Sequence, residues 1–191
     1  MRAFIALTLP TDVRSSLQQL QSDLQTALAD VRWVAPEQLH LTLKFLDDIT
    51  EAQRRDVERS LRWIAAVEAP FSAQLGALGA FPLLQSPRVL WVGLQTGAED
   101  AIRIAEAIER EARLIGLRQE ERPFSAHITL GRVRTSRGIG ALVERIRNVR
   151  WSSPAAWRVE MISLYQSVLG SNGPRYSVLA EIRLGGPVVP E

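Results

Sequence analysis

The chain of 191 residues contains no cysteine. That absence excludes disulfide bonds, thiolate nucleophiles and metal sites built on cysteine. No stretch approaches the roughly 18 consecutive apolar residues of a membrane-spanning helix. The apolar segment 1–10 has no small-residue cleavage site and leads directly into a polar amphipathic segment, so it is interpreted as a buried strand. We therefore expect a cytoplasmic protein that does not enter a membrane.

Lysine and histidine are also scarce. Lys44 is the only lysine, and the net charge of +2 is carried by arginine. Arginines are concentrated after residue 130, with only Glu144 among them, and this local basic patch is typical of a protein with a phosphate-bearing partner; an equally good interpretation is a solvated helix face. The arginines of this patch are Arg132, Arg134, Arg137, Arg145, Arg147 and Arg150.

The only two histidines, His40 and His127, begin the same pattern, His-Leu-Thr-Leu and His-Ile-Thr-Leu. With eight threonines in the chain, a threonine two places after both histidines arises by chance on the order of a few times in a thousand. Histidine is the side chain best suited to moving protons near neutral pH. The repeated motif therefore predicts that both imidazoles belong to one site.

Hydrophobic periodicity divides the chain into two halves with the same order of elements, strand, helix, histidine strand, helix and strand. His40 lies 38 positions after the first strand begins at residue 2, and His127 lies 39 positions after residue 88. Capping boxes are predicted at Thr50–Gln53 and Thr96–Glu99. The predicted elements of the first half are 2–9, 11–29, 39–46, 51–67 and 71–79. Those of the second half are 88–94, a helix that Thr96–Glu99 opens and that ends near residue 115, 126–133, 138–148 and 156–167, with a last strand over 175–184.

This repeat predicts an α+β fold with two lobes in a single domain over residues 1–191. Each lobe has an antiparallel-rich β-sheet, the two sheets are related by a pseudo-two-fold axis, the helices lie outside, and a cleft separates the lobes. Side chains alternate across a strand, so the histidine and threonine of each motif face the cleft and the aliphatic residues face the core.

Two imidazoles and two hydroxyls in one cleft favour cleavage of a phosphodiester. In-line displacement needs a base on one side of phosphorus and an acid on the other, and hydroxyl donors stabilise the non-bridging oxygens in the transition state. No His-x-x-x-His or Asp-x-Asp spacing occurs, so we expect neither a metal nor another cofactor. A metal hydrolase is the least favoured alternative.

These motifs resemble those of the two-histidine phosphoesterase superfamily, and within it the RNA 2′,3′-cyclic phosphodiesterases, which are also described as 2′–5′ RNA ligase-like. The likeness covers nearly the whole chain, although Asp47 replaces a glycine that is common in the family. The segments that carry it are Arg2–Ala6, Trp33–Leu46, Pro123–Arg132, Leu164–Leu169 and Gly173–Tyr176.

The resemblance implies metal-independent hydrolysis of RNA 2′,3′-cyclic phosphate ends to 2′-phosphate ends, with 2′–5′ ligation as the reverse chemistry. By analogy His127 is the proton acceptor, His40 the proton donor, and Thr42 and Thr129 bind the phosphate. Arg132 is also implied at the phosphate, but strict alternation places it on the core face unless the strand ends or bulges at Gly131.

Several alternatives remain open. The substrate could be a nucleotide cyclic phosphate, or the protein could be a non-catalytic module that binds RNA or nucleotides. Lys44 is expected on the histidine face, as an attractor of RNA or as a surface residue. The aromatic residues Phe45, Phe124 and Tyr165 are candidates to stack a base, although core packing is favoured for each. We expect a monomer.

Overall fold

The computed structural model describes residues 1–170 and 173–186 and has the predicted α+β architecture. Four α-helices and nine strands make up this part of the chain. The helices are α1 (Thr11–Gln25), α2 (Glu51–Val67), α3 (Ala98–Leu114) and α4 (Ile139–Asn148), and Pro36–Gln38 forms one 3₁₀ turn. The strands are β1 (Arg2–Thr8), β2 (Val31–Trp33), β3 (His40–Asp48), β4 (Phe71–Leu83), β5 (Ser86–Thr96), β6 (His127–Val133), β7 (Trp157–Val159), β8 (Met161–Gly170) and β9 (Gly173–Arg183).

The N-termini of α2 and α3 are capped differently, although the sequence predicts a capping box at both. The predicted capping box before α2 is present, with Thr50 and Gln53 each bonding the other's backbone amide. The one predicted before α3 is wrong, since Gly97 occupies the N-cap with φ +80° and no side-chain cap. A Cβ at Gly97 would lie 2.6 Å from the Ser72 carbonyl oxygen. Close packing and a left-handed turn therefore determine this start.

All strand pairs are antiparallel, and the described strands form one curled path, β7-β4-β5-β6-β3-β1-β8-β9, while β2 lies off this path and pairs with residues 131–133 of β6. At the centre of this order, β3 and β6 are paired through a single residue pair, Leu41 with Ile128. We call the strands on one side of this junction (β1, β3, β8, β9) the first lobe, and those on the other side (β2, β4, β5, β6, β7) the second lobe. The two predicted antiparallel sheets are thus joined edge to edge.

The lobes exchange elements that the sequence repeat assigns to single halves. Strand β4 belongs to the first half of the chain but pairs with β5 in the second lobe, whereas β8 belongs to the second half and pairs with β1 in the first lobe. Gln21 on α1 donates to the carbonyls of Val34 and Leu130, so α1 packs on the second lobe. The strand predicted over 156–167 is two strands, β7 and β8, which lie in different lobes.

The aliphatic residues of the two histidine motifs lie in the core, as alternation predicts. Leu41 is 1% exposed, and Ile128 and Leu130 are fully buried. Burial of an aliphatic side chain contributes about 1.5–3 kcal/mol, so the orientation of each motif strand is fixed by its core-facing residues. None of the helices within the described ranges is long and apolar enough to cross a membrane.

Candidate active site

The Leu41–Ile128 pair brings the two histidine motifs together at the lobe junction. In this antiparallel register His40 neighbours Thr129, and Thr42 neighbours His127. The two histidines are then diagonal neighbours, which lie about 7–8 Å apart in a sheet, with a somewhat shorter distance between their Cβ atoms. Each motif contributes equally to the site, which lies on the pseudo-two-fold axis expected from the sequence.

A cavity of about 830 Å³ opens on this face of the sheet. His40, Thr42, Thr129 and Arg132 are among the residues that line it. His127 is not one of the residues that line this cavity, but residues two positions apart share one face of a strand, so it lies on the same face of β6 as Thr129. Its ring contacts two aromatic residues of the second lobe. The ring centroids are 5.1 Å from Phe81 and 6.2 Å from Trp91.

Both imidazoles are held by the same kind of hydrogen bond. His40 Nδ1 donates to the Gln38 carbonyl at 2.6 Å, and His127 Nδ1 donates to the Ser125 carbonyl at 2.7 Å. A carbonyl only accepts, so the bond assigns the proton to Nδ1 in each neutral ring. This leaves Nε2 of both histidines as the atom available for proton exchange.

Burial lowers the pKa of both histidines below the ordinary value of 6.5, and the hydrogen bonds to Gln38 and Ser125 oppose this effect. The positive charge of Arg132 lowers the pKa of His127 further. Aromatic rings surround His40, with Phe4 stacked at 4.8 Å and Tyr176 edge-on at 5.4 Å. An anion bound between the histidines would counteract these effects by favouring the charged form.

A β-bulge occurs at the fourth residue of each motif. In β3 the register with β1 passes from Thr42 to Lys44, which leaves Leu43 unpaired. In β6 the register with β5 passes from Thr129 to Gly131, which leaves Leu130 unpaired. An extra residue reverses the alternation of the residues beyond it.

The bulges decide two of the predictions. Lys44 faces the core at 3% exposure, where its Nζ donates to Glu109 Oε2 at 2.5 Å and to the Arg118 carbonyl at 3.0 Å. Both sequence-based interpretations of Lys44 are therefore wrong. On the matching strand the bulge turns Arg132 into the cavity, five residues after His127, as the conditional prediction required.

The aromatic candidates separate by location. Phe45 lies five residues after His40, is 50% exposed and lines the cavity, so it occupies the place in the first lobe that Arg132 occupies in the second. Phe124 packs against the core, and Tyr165 stacks on Phe4 at 5.1 Å. Asp47 has φ +53°, a backbone conformation that favours glycine and that aspartate tolerates.

The basic patch predicted after the second motif does not gather at the cavity. Of its six arginines only Arg132 lines it, whereas Arg145 and Arg147 bond to groups outside it. The cavity instead receives four arginines that are not predicted as site residues, which are Arg2, Arg32, Arg118 and Arg175. They come from distant segments, so no local sequence signal links them.

Within residues 1–170 and 173–186, no three His, Cys, Asp or Glu side chains lie close enough together to hold a metal ion. The polar side chains that line the cavity carry the His40 imidazole, the Gln38 amide, hydroxyls and guanidinium groups, with Glu37, Asp47 and Glu120 as its carboxylates. Such a set suits an anionic substrate whose reaction involves proton transfer.

A duplicated family match identifies the class of this protein as a phosphoesterase built from two related halves. The model described as LigT-like phosphoesterase matches residues 7–91 and again residues 92–176, so each match contains one histidine motif. The chain belongs to the LigT-like phosphoesterase family. This confirms the family resemblance and the internal repeat predicted from the sequence.

Relatives of similar length support this membership. A protein of Aquifex aeolicus named RNA 2′,3′-cyclic phosphodiesterase is 31% identical over 189 residues, covering 97% of this chain and 98% of its own. The crystal structure of TT0787 of Thermus thermophilus superposes with a TM-score of 0.81 at 32% identity, covering 97% and 99% of the two chains. Escherichia coli LigT complexed with 3′-AMP gives 0.73 at 27% identity, covering 96% and 97%.

Proposed function

We propose that this protein hydrolyses the 2′,3′-cyclic phosphate at RNA 3′ ends to a 2′-phosphate by paired histidine acid–base catalysis, without a metal. The observation that carries this proposal is the meeting of two His-x-Thr strands at Leu41–Ile128, with both Nε2 atoms available. Relatives in bacteria and archaea named RNA 2′,3′-cyclic phosphodiesterase support the substrate class.

His127 acts as the base in this mechanism. Its Nε2 accepts a proton from water as the water oxygen forms a bond to phosphorus. Because burial and Arg132 lower its pKa, the neutral ring is the dominant form at neutral pH, as a base requires. Each proton-transfer residue typically contributes about 10²–10⁴ in rate.

His40 acts as the acid. As the bond between phosphorus and O3′ breaks, Nε2 of His40 donates its proton to O3′, which leaves as a hydroxyl. The lowered pKa of His40 in the free protein rises when the anionic substrate binds, because a nearby negative charge favours the imidazolium form. A 5′ hydroxyl in place of water would form a 2′–5′ bond by the same step.

Thr42, Thr129 and Arg132 bind the non-bridging oxygens in this proposal. The two hydroxyls lie beside the opposite histidines, and all three side chains line the cavity. Negative charge grows on these oxygens as the pentacoordinate transition state forms, so fixed donors stabilise it more than the ground state. Phe45 offers its exposed ring to the base of the terminal nucleotide.

The experiment is hydrolysis of a short RNA with a 2′,3′-cyclic phosphate end in excess EDTA, with separation of 2′- from 3′-phosphate products. We expect a 2′-phosphate product at an undiminished rate. His40→Ala and His127→Ala should each lose at least about a hundredfold, while Gln18→Ala, an exposed change on α1, keeps wild-type turnover.

Near-wild-type turnover in either histidine variant, with an unchanged circular dichroism spectrum, would overturn the mechanism. Loss of activity in EDTA would instead support a metal hydrolase. RNA binding by a folded wild-type protein that shows no turnover would support the non-catalytic module.

A free nucleotide with a cyclic phosphate is the second candidate substrate. It is favoured by the solved structures of Escherichia coli LigT with 3′-AMP and with NADP⁺, both 27% identical to this chain. The same assay with adenosine 2′,3′-cyclic phosphate separates the candidates, since an RNA-specific enzyme has a much higher kcat/KM for the oligonucleotide.

A further inference from the structure

Two arginines face each other directly beside the proposed site. In the antiparallel pair of β2 and β6, Arg32 lies opposite Arg132, and both side chains line the cavity. Like charges in this position destabilise a sheet. The Arg32 guanidinium reaches across the cleft to Gly173 of the first lobe. An added Cβ at Gly173 would lie 2.8 Å from Nη2 of Arg32.

Tyr176 on β9 joins this cluster from the opposite wall. Burial raises the pKa of its hydroxyl, so the group remains a hydrogen-bond donor at neutral pH. Arg2, Arg32 and Arg132 line the same cavity as Tyr176, and their positive charges act on the pKa of this hydroxyl in the opposite direction. Arg2 approaches from β1 and also lines the cavity.

These three arginines have no direct carboxylate partner. Among the described residues, Arg2, Arg32 and Arg132 form no ion pair with a carboxylate. Of the carboxylates in the cavity, Asp47 lies 4.0 Å from Arg118. Convergent guanidinium groups that form no ion pair within the protein are suited to bind phosphate.

The reacting phosphate accounts for Arg132 but leaves Arg2, Arg32 and Tyr176 without a role. We propose that these three residues form a second phosphate subsite, which binds the phosphate on the 5′ oxygen of the nucleotide whose cyclic phosphate is opened. This assignment rests on the proposed function, because the 5′ oxygen is the remaining phosphorylated position of such a nucleotide. That phosphate is an internucleotide diester at an RNA end or a monoester on a free nucleotide.

The kinetic test compares three substrates, namely adenosine 2′,3′-cyclic phosphate, the same compound with a 5′-phosphate, and the dinucleotide ApA with a 2′,3′-cyclic end. The wild-type protein should give a higher kcat/KM whenever the second phosphate is present. Arg32→Gln should lower kcat/KM for those substrates about ten- to a hundredfold, the effect of one lost charge-assisted hydrogen bond. The same variant should leave the first substrate unchanged.

Arg150→Gln is the matched control, since it makes the same charge change at an exposed position outside the cavity. Arg2→Gln and Tyr176→Phe should follow Arg32→Gln. A gain with both phosphorylated substrates identifies the diester of an RNA end, and a gain with the 5′-monophosphate alone identifies a free nucleotide. Equal losses on all three substrates would overturn the subsite, because Arg32 would then act on the reacting phosphate or on the fold.

A binding measurement tests the subsite without catalysis. Calorimetry compares adenosine 2′,5′-bisphosphate with adenosine 2′-monophosphate for the wild-type protein and for Arg32→Gln. We expect the wild-type protein to prefer the bisphosphate and the variant to lose that preference. Equal wild-type affinities would overturn the subsite. If no cyclic phosphate is hydrolysed, the proposed function fails, while a bisphosphate preference still supports the second subsite.

Discussion

The buried ion pair between Lys44 and Glu109 should respond unequally to loss of either partner. The Lys44 side chain is 2% exposed, whereas that of Glu109 is 31% exposed. Lys44→Met leaves a carboxylate that water reaches and that still accepts from the Glu120 amide at 3.0 Å. Glu109→Leu leaves an ammonium group in the core with the Arg118 carbonyl as its remaining acceptor.

These differences set the expected magnitudes. A hydrogen bond to a charged group contributes about 1.5–3 kcal/mol, and the apolar methionine side chain offsets part of this, so Lys44→Met should cost about 1–2 kcal/mol. An uncompensated buried charge costs about 3–5 kcal/mol, which is the expected loss for Glu109→Leu. For a chain of this length each kcal/mol corresponds to about 2–4 °C in Tm.

Urea unfolding followed by circular dichroism measures both free energies. Arg103→Met is the control, because it removes the pairs of an arginine that is 50% exposed and should cost less than about 1 kcal/mol. If Lys44→Met costs as much as Glu109→Leu, or more, the inference from unequal burial is refuted.

Two further predictions concern the histidines and threonines. Thr42→Val and Thr129→Val should each lose about 2.7–4 kcal/mol of transition-state stabilisation. Steady-state measurement of kcat gives this loss for each variant. An unchanged kcat in both variants would show that the hydroxyls have no role in the mechanism. NMR titration of the free protein should place both histidine pKa values below 6.5. The folded state then binds fewer protons than the unfolded state, so the free energy of unfolding falls as the pH drops from 6.5 towards the lowered pKa, by up to about 1.4 kcal/mol per pH unit per histidine. His40→Gln should reduce this slope. A pKa at or above 6.5 for either histidine would contradict the prediction.

Local pattern was sufficient for much of this fold. The spacing of Val13, Leu17, Leu20 and Leu24 predicted α1, and all four are buried. Alternation predicted that Leu41 and the other aliphatic motif residues lie in the core. Helical and strand periodicity report which face is apolar, and burial of that face decides the element.

The bulges show where pattern is insufficient. Strict alternation of side chains takes no account of a bulge at the unpaired Leu43, so it predicts the wrong face of the strand for Lys44. On the matching strand, the glycine after Leu130 indicates a possible break, and the sequence predicts that Arg132 faces the cleft if the strand ends or bulges there. Arg32 and Tyr176 were missed because their proximity depends on strands that are distant in the chain, and no property of either neighbourhood encodes it.

The exchange of β4 and β8 between the lobes has a consequence for symmetry. Two separate copies of one half-chain could form the same arrangement, with one strand of each copy pairing in the sheet of the other. Every position would then occur twice with the same side chain. Joining the halves in one polypeptide removes that identity. It permits an aromatic ring at Phe45 and a cation at Arg132, so equivalent places on the two walls can meet different parts of one ligand.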